Sequence, residues 1–277
     1  MILVTGANGN VGRLVLRQLI ADGRTVRALS RNPEQAQWPD LAEVAPGDLA
    51  DPASLRTALD GVEAAYLFPA PGTGPGFVAA AEAAGVRRVV LLSSGAVEDR
   101  TDPPTDPIAL YHWEIEQALR SSDLAWTILR PEVFAANSLQ WAAQTRAGDE
   151  IRGAYADAAA TPIHEADIAA CAVAALTGPG HSGAVHHLTG PQSLTHADQA
   201  RIIGEVLGRP VRYLELPPAT AREQLAPYVP APILDSILTL WAESVGNPRP
   251  VTDAVAKITG RTPRSYADWV SDHAGEF

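Results

Sequence analysis

Met1-Ile-Leu-Val-Thr-Gly-Ala-Asn-Gly-Asn-Val-Gly12 is a short apolar strand that runs straight into a glycine-spaced turn, and Arg13 to Ala21 continues it as an amphipathic helix. Strand, glycine-rich turn and helix form the phosphate-binding unit of dinucleotide folds. A pyrophosphate sits close to backbone N–H groups at a helix N-terminus, where the helix dipole favours negative charge. Side chains in the turn would block that approach, so glycine occupies it. The spacing here is G-x-x-G-x-x-G, and its place directly behind a strand that begins at residue 2 makes it specific. Gly6, Gly9 and Gly12 are the glycines that would clear this approach.

Thr25-Val-Arg-Ala-Leu-Ser30 reads as the second strand, and its end carries no Asp or Glu to bind a ribose 2′-hydroxyl. Ser30, Arg31 and Asn32 stand there instead. A carboxylate would repel a 2′-phosphate, whereas a guanidinium binds one through two parallel hydrogen bonds. The expected cofactor is therefore NADPH/NADP+, with Arg31 on the 2′-phosphate.

The 277 residues suffice for one large domain, or a domain with an appendage, around a sizeable core. The net charge of −11 disfavours nucleic acid as a partner, because phosphate contacts need a basic patch. Arg87-Arg88 is expected to flank a strand. The single cysteine, Cys171, lies in an alanine-rich run and is expected in the core. No basic, then apolar, leader precedes the first strand, and no apolar run approaches the ~20 residues needed to cross a bilayer. A cytoplasmic protein without membrane partners is expected.

Strand and helix patterns alternate through the first half. Further strands are expected at Glu43 to Gly47, Val62 to Phe68, Arg88 to Leu92 and Leu124 to Leu129, with helices at Pro52 to Leu59 (Asp51 as N-cap), Phe77 to Ala84 and Ile108 to Arg120. Val89-Val-Leu-Leu92 is continuously apolar, as in a strand covered on both faces. This alternation predicts an α/β, Rossmann-type, doubly wound parallel sheet. After Pro131 the regularity breaks. Helices are expected at Asn137–Arg146, Ala166–Leu176, His196–Leu207, Pro232–Ser244 and Thr252–Ile258, and short strands at Val185–Leu188 and Val211–Glu215. Pro217-Pro218 and Pro227 to Pro232 read as rigid connectors. The expected division is a nucleotide-binding core over residues 1–130 and a smaller substrate-covering lobe over residues 131–277, interleaved with that core.

These pieces together resemble the atypical short-chain dehydrogenase/reductases of the NmrA-like group, including its NAD(P)H:quinone reductase subfamily. The matching segments are Val4 to Gly12, Val26 to Pro33, Gly47-Asp-Leu49, Leu92-Ser-Ser94, His112-x-x-x-Glu116-x-x-Leu119, Thr127-Ile-Leu-Arg-Pro131 with Phe134 and Asn137, Ile163-x-x-x-Asp167-Ile-Ala169, and Thr262-Pro-Arg-Ser-Tyr-Ala-Asp-Trp269. The resemblance implies that Gly6, Asn8, Gly9, Asn10 and Val11, with Gly12, wrap the pyrophosphate and that Asp48 and Leu49 flank the adenine. It implies that Phe68, Pro69 and Ala70 pass beneath the ribose and nicotinamide, and that Ser93, Ser94 and Pro131 lie near the nicotinamide. For Asp48 a plain helix-start role, and for Ser93 and Ser94 the capping of a strand end, are the alternatives.

Ordinary members of that superfamily use Tyr-x-x-x-Lys to protonate a carbonyl oxygen. Counted back from Thr127-Ile-Leu-Arg-Pro131, the lysine position falls on His112 and the tyrosine position on Ile108, which has no proton to give. Tyr111 does not rebuild the motif, because Ile115 lies four residues on and helical spacing turns Tyr111 about 300° from Ile108. His112 is left as the candidate for binding ribose hydroxyls or donating a proton, or as a helix residue paired with Glu116. His186, His187 and His196 lack a coherent metal-ligand spacing, so no metal is expected, and no G-x-S-x-G elbow is present. Most tryptophans read as core anchors, with Trp141, Phe134 and Leu139 as a possible apolar pocket. Two functions fit: an NADPH-dependent oxidoreductase acting on a small apolar, quinone-like or polyaromatic substrate, and a non-catalytic NADP(H)-binding redox sensor.

Overall fold

Leu3, Val89, Leu91 and Ile128 point to one side of a parallel sheet, and Ile2, Val4, Val90 and Leu92 to the other. Two apolar layers follow from that alternation. The computed structural model describes residues 1–35, 42–99 and 102–277. In its first half β1 (Ile2–Val4), α1 (Gly12–Ala21), β2 (Val26–Ser30), β3 (Ala42–Pro46), α2 (Pro52–Ala58), β4 (Ala64–Leu67), α3 (Gly74–Ala83), β5 (Arg88–Leu92), α4 (Pro107–Arg120) and β6 (Ala125–Pro131) follow in turn. The second half holds a 3-10 segment at Ala135–Trp141, α5 (Ala142–Ala147), β7 (Glu150–Gly153), β8 (Ala159–Ala160), α6 (Glu165–Thr177), β9 (Ala184–Leu188), β10 (Leu194–Thr195) and α7 (His196–Leu207). It ends with β11 (Arg212–Glu215), α8 (Pro218–Leu225), α9 (Ala231–Ser244), α10 (Ala254–Thr259) and α11 (Tyr266–Asp272).

The central sheet has seven parallel strands in the order β3-β2-β1-β4-β5-β6-β9. It is the doubly wound Rossmann-type sheet. Its order reverses between β1 and β4, and ligands of such sheets bind beyond the carboxyl ends at that switch point. Helices α1, α6 and α10 cover one face, and α2, α3 and α4 the other. Segment 185–188, expected as a small extra strand, is the seventh strand of this sheet and pairs with β6. A third apolar cluster joins residues 135–142, β7, β10, α7 and α11, with Trp269 fully buried in it.

Local chemistry explains several boundaries. The Asp51 carboxylate accepts from the Ala53 amide and Pro52 fills the first position of α2, as its sequence predicts. The helix expected from Phe77 begins earlier, at Gly74, because Pro75 fits a first helical turn. Pro217-Pro218 is not a plain connector: Pro218 opens α8 for the same reason. The helix expected over 137–146 is a 3-10 segment followed by short α5. Arg88 donates to the carbonyls of Ala175, Leu176 and Gly178 and so caps the C-terminus of α6, while Arg87 pairs with Glu63. Cys171 is fully buried in α6, and burial with Asp167 nearby pushes its thiol up to about 12. No helix among the described residues is long and apolar enough to cross a membrane.

Buried polar contacts join segments that are far apart in sequence. Glu116 on α4, fully buried, accepts from Arg130 Nε at 2.9 Å and Nη2 at 2.7 Å, and from the Ser93 hydroxyl at 2.5 Å. This fork fixes the carboxyl ends of β5 and β6 against α4. Asp167 on α6 accepts from the Arg264 amide and pairs with its guanidinium, and the Trp269 indole donates to Glu165 at 2.9 Å. Removing one member of a buried ion pair strands the other and costs about 3–5 kcal/mol. Glu116→Ala leaves Arg130 only the exposed Asp99, 3.0 Å from its Nη2, and is expected to lower the unfolding free energy by up to about that amount, read from the midpoint of urea denaturation. A midpoint equal to that of the unsubstituted protein would show the fork to be dispensable.

Candidate active site

The Thr5 hydroxyl clips the two strands that flank the switch point. It donates to the Tyr66 carbonyl at 3.1 Å and accepts from the Phe68 amide at 2.7 Å. Gly6 follows with φ of +60°, a conformation that favours glycine, and a Cβ there would lie 2.7 Å from Phe68 Cβ. A Cβ on Gly12 would lie 2.2 Å from the Gly6 carbonyl oxygen, so the first turn of α1 rests directly on the turn. The Gly9 amide donates back to Gly6 at 2.9 Å. The amides of Asn8, Asn10, Val11 and Gly12 donate to no described group, and Val11 supplies no side-chain cap. A helix N-terminus with open amides and glycine clearance fits the diphosphate of a dinucleotide.

The other expected site residues border the same ends of the strands. Arg31 is exposed just past β2 and its guanidinium pairs with no described residue. Asp48 accepts from the Ala50 amide at 3.0 Å, a turn contact beside α2, and Leu49 packs on the α2–α4 layer. Phe68 stays 41% exposed against Gly6, with Pro69 and Ala70 continuing the strip past β4. Ser93 is committed to Glu116, whereas Ser94 accepts from the Ala96 amide and lines a cleft. Pro131 ends β6, and its carbonyl accepts from the Gly95 amide.

His112 is buried, and its Nδ1 has no hydrogen-bond partner among the described residues. It does not pair with Glu116, which Arg130 and Ser93 occupy. Burial lowers its pKa to about 4, so the imidazole is neutral at pH 7 and suits hydrogen bonding better than acid catalysis. The Tyr111 ring lies tilted by 31° beside the His112 ring, centroids 4.1 Å apart, and Tyr111 packs on the α2–α4 layer and is not among the residues lining the cleft.

The cleft has a volume of about 460 Å³ and opens beyond β5 and β6. Ser94, Gly95, Ile108 and Glu132 form its floor, Trp141 and His196 one wall, and Val229, Leu234, Ile237 and Trp241 the wall toward α9. Trp141 lines the cleft while also packing in the third core cluster, and Phe134 and Leu139 pack into the cores, the alternative to a pocket at these residues. Glu132 and Arg249 were not singled out by sequence, and His196 was weighed there only as a metal ligand. Only the position of Glu132, beside Pro131 at a strand end, hinted at its place.

A family model described as NAD(P)H-binding matches residues 6–179. The chain is 40% identical to (4-alkanoyl-5-oxo-2,5-dihydrofuran-3-yl)methyl phosphate reductase of Streptomyces griseus, over 100% of this chain and 99% of that protein. It is 32% identical to the NAD(P)H azoreductase of Xenophilus azovorans, over 100% and 99% of the two chains. An NADPH-dependent quinone oxidoreductase from Escherichia coli, solved with NADPH, superposes with a TM-score of 0.84 at 26% identity, covering 99% of this chain and 100% of that one.

The buried imidazole sets a pH dependence. His112 takes up a proton near pH 6.5 when unfolded but only near pH 4 when folded, so between those values the unfolded chain binds more protons. Stability is expected to fall as pH drops through that window. His112→Gln should flatten the decline, measured as urea midpoints at the two ends of the window. A slope unchanged by the substitution would place the responsible group elsewhere.

Proposed function

The chain belongs to the NAD(P)H-binding family, in the NmrA-like group of short-chain dehydrogenase/reductases, and is an NAD(P)H-dependent oxidoreductase; we propose that it uses NADPH to reduce an apolar, quinone-like or polyaromatic acceptor held in the cleft. The observation that carries this reading is the placement of the glycine turn and the cleft at the same edge of one sheet, the turn after β1 and the cleft beyond β5 and β6. Both open at the carboxyl ends of the same sheet, so a dinucleotide lying across the switch point reaches the cleft floor.

In this reading the amides of Gly6, Asn8, Asn10, Val11 and Gly12 wrap the diphosphate, Gly9 leaves room for it, and Arg31 holds the 2′-phosphate. Asp48 and Leu49 border the adenine. Phe68, Pro69 and Ala70 run beneath the ribose and nicotinamide, with Ser93, Ser94 and Pro131 on the nicotinamide side. The neutral His112 binds ribose hydroxyls. When bound, the coenzyme supplies a hydride. Trp141, Trp241 and the aliphatic wall of α9 exclude water and receive a flat apolar ring. Relatives named for the reduction of azo compounds and quinones support an acceptor of that class. The redox-sensor alternative gives the cleft no use, which favours the enzyme.

Purified protein mixed with NADPH and a set of simple quinones should consume the reduced nicotinamide, followed by its absorbance. Tight binding of NADPH and NADP+ without turnover of any acceptor would favour the sensor instead. Arg31→Ala should weaken NADPH binding by about 1.5–3 kcal/mol, the range for hydrogen bonds to a charged group, and leave NADH nearly unchanged. Equal losses for both nucleotides, measured by calorimetry, would remove Arg31 from the 2′-phosphate site.

A further inference from the structure

We propose that Glu132 is the acid of the cleft, its carboxyl delivering a proton to the acceptor oxygen on which negative charge collects during reduction. The proposal rests on the reductase reading above and supplies the proton donor that Ile108 cannot. Ile108 and Glu132 line the same cleft, so an acid is available where the tyrosine position holds an aliphatic side chain.

The carboxyl is held in place by its backbone and by the clearance around it. Glu132 is the first residue after β6, and its amide donates to the Leu188 carbonyl on β9 at 3.0 Å. The neighbouring backbone is pinned by the Gly95 amide donating to Pro131 at 2.8 Å. A Cβ on Gly95 would lie 2.7 Å from both Cδ and Oε1 of Glu132, so glycine at 95 leaves room for the carboxyl. The buried acids elsewhere are committed: Glu116 to Arg130 and Ser93, Glu165 to Trp269 and His273, Asp167 to Arg264. The Glu132 carboxyl accepts a hydrogen bond from no described residue. Burial raises its pKa. Arg249 and His187, the charged and titratable groups that face it, act the other way and do not cancel that rise. An acid protonated nearer neutral pH is better matched to proton transfer there.

Other polar groups nearby are poorer donors. The His196 ring is turned to the backbone of Ala154, whose carbonyl lies 3.4 Å from its Nδ1, and of Tyr155. Burial also lowers the pKa of His196. Neither His112 nor Tyr111 is among the residues lining the cleft.

The step balances as follows. The acceptor gains the hydride at one atom of its conjugated system, one π bond breaks, and that electron pair moves to the carbonyl oxygen. The Glu132 O–H bond breaks as a new O–H bond forms on that oxygen. The nicotinamide is oxidised, the acceptor is reduced, and the carboxylate regains its proton from water at the cleft mouth.

Glu132→Gln keeps the shape of the side chain and removes the acid. The expected loss in kcat is about 100-fold or more, with NADPH affinity unchanged by fluorescence titration. In the unsubstituted enzyme kcat should be level at low pH and fall as pH rises and the carboxyl ionises; the variant should lack that limb. The loss should also grow along a series of quinones whose reduced oxygens are increasingly basic, which a merely structural role would not produce. Without turnover, infrared difference spectra of unsubstituted protein minus Glu132→Gln across pH should show a protonated carboxyl titrating with the same midpoint. Arg249→Ala, at an exposed residue, guards against misfolding of the first variant and should move the limb to higher pH. Normal kcat and an intact limb in Glu132→Gln, or an unmoved limb in Arg249→Ala, would overturn the proposal while leaving the reductase reading in place. Failure of the unsubstituted protein to reduce any quinone would overturn both.

Discussion

The first turn of α1 lies on the carbonyl of Gly6, with no room for a side chain at Gly12 between them. This close approach sets the position of the helix N-terminus at the point where the sheet order reverses. Thr5 holds that point from below by bridging β1 and β4 with one hydroxyl. The open amides, the exposed face of Phe68 and the cleft beyond β5 all take their places relative to this contact. A larger residue at Gly6 or Gly12 would disturb the whole carboxyl edge, because densely packed interiors transmit strain.

Much of the first half was legible because its signals are local. Val89 to Leu92 is apolar at every position and is covered on both faces; Asp51-Pro52 starts a helix through its own chemistry. The second half resisted reading where distant partners decide. Segment 184–188 looks like an isolated strand until β6 is known to need a neighbour. Helix α8 was hidden because two adjacent prolines suggest a connector, although the second is suited to a first helical turn. The residues of the glycine turn were legible by spacing alone. Glu132 and Arg249 were not, because no spacing relates two residues brought together only by the loops beyond β6 and α9. The alternative pairing of His112 with Glu116, suggested by helical proximity, is not made, because a strand arginine offers Glu116 two charged hydrogen bonds.

The polar interior explains why widely separated motifs belong together. Ser93, Glu116 and Arg130 come from three segments and form one fork beneath the cleft. Glu165 and Asp167 hold the closing segment through Trp269 and Arg264. Such groups contribute modest net stability when satisfied but are costly to leave unpaired. Their larger effect is on geometry: they set where β5, β6 and α11 end, and so the floor and rear of the cleft.

The pairing of β9 with β6 has a consequence for how the chain matures during synthesis. The ribosome releases the nucleotide-binding strands first, yet the outer flank of β6 has no neighbour until residue 188 has emerged. Through that interval an unpaired strand flank is presented to other nascent chains, the kind of template that promotes wrong pairing. The α6 helix, which precedes β9 in the chain, is made in time to shield one face of the sheet but not its open border.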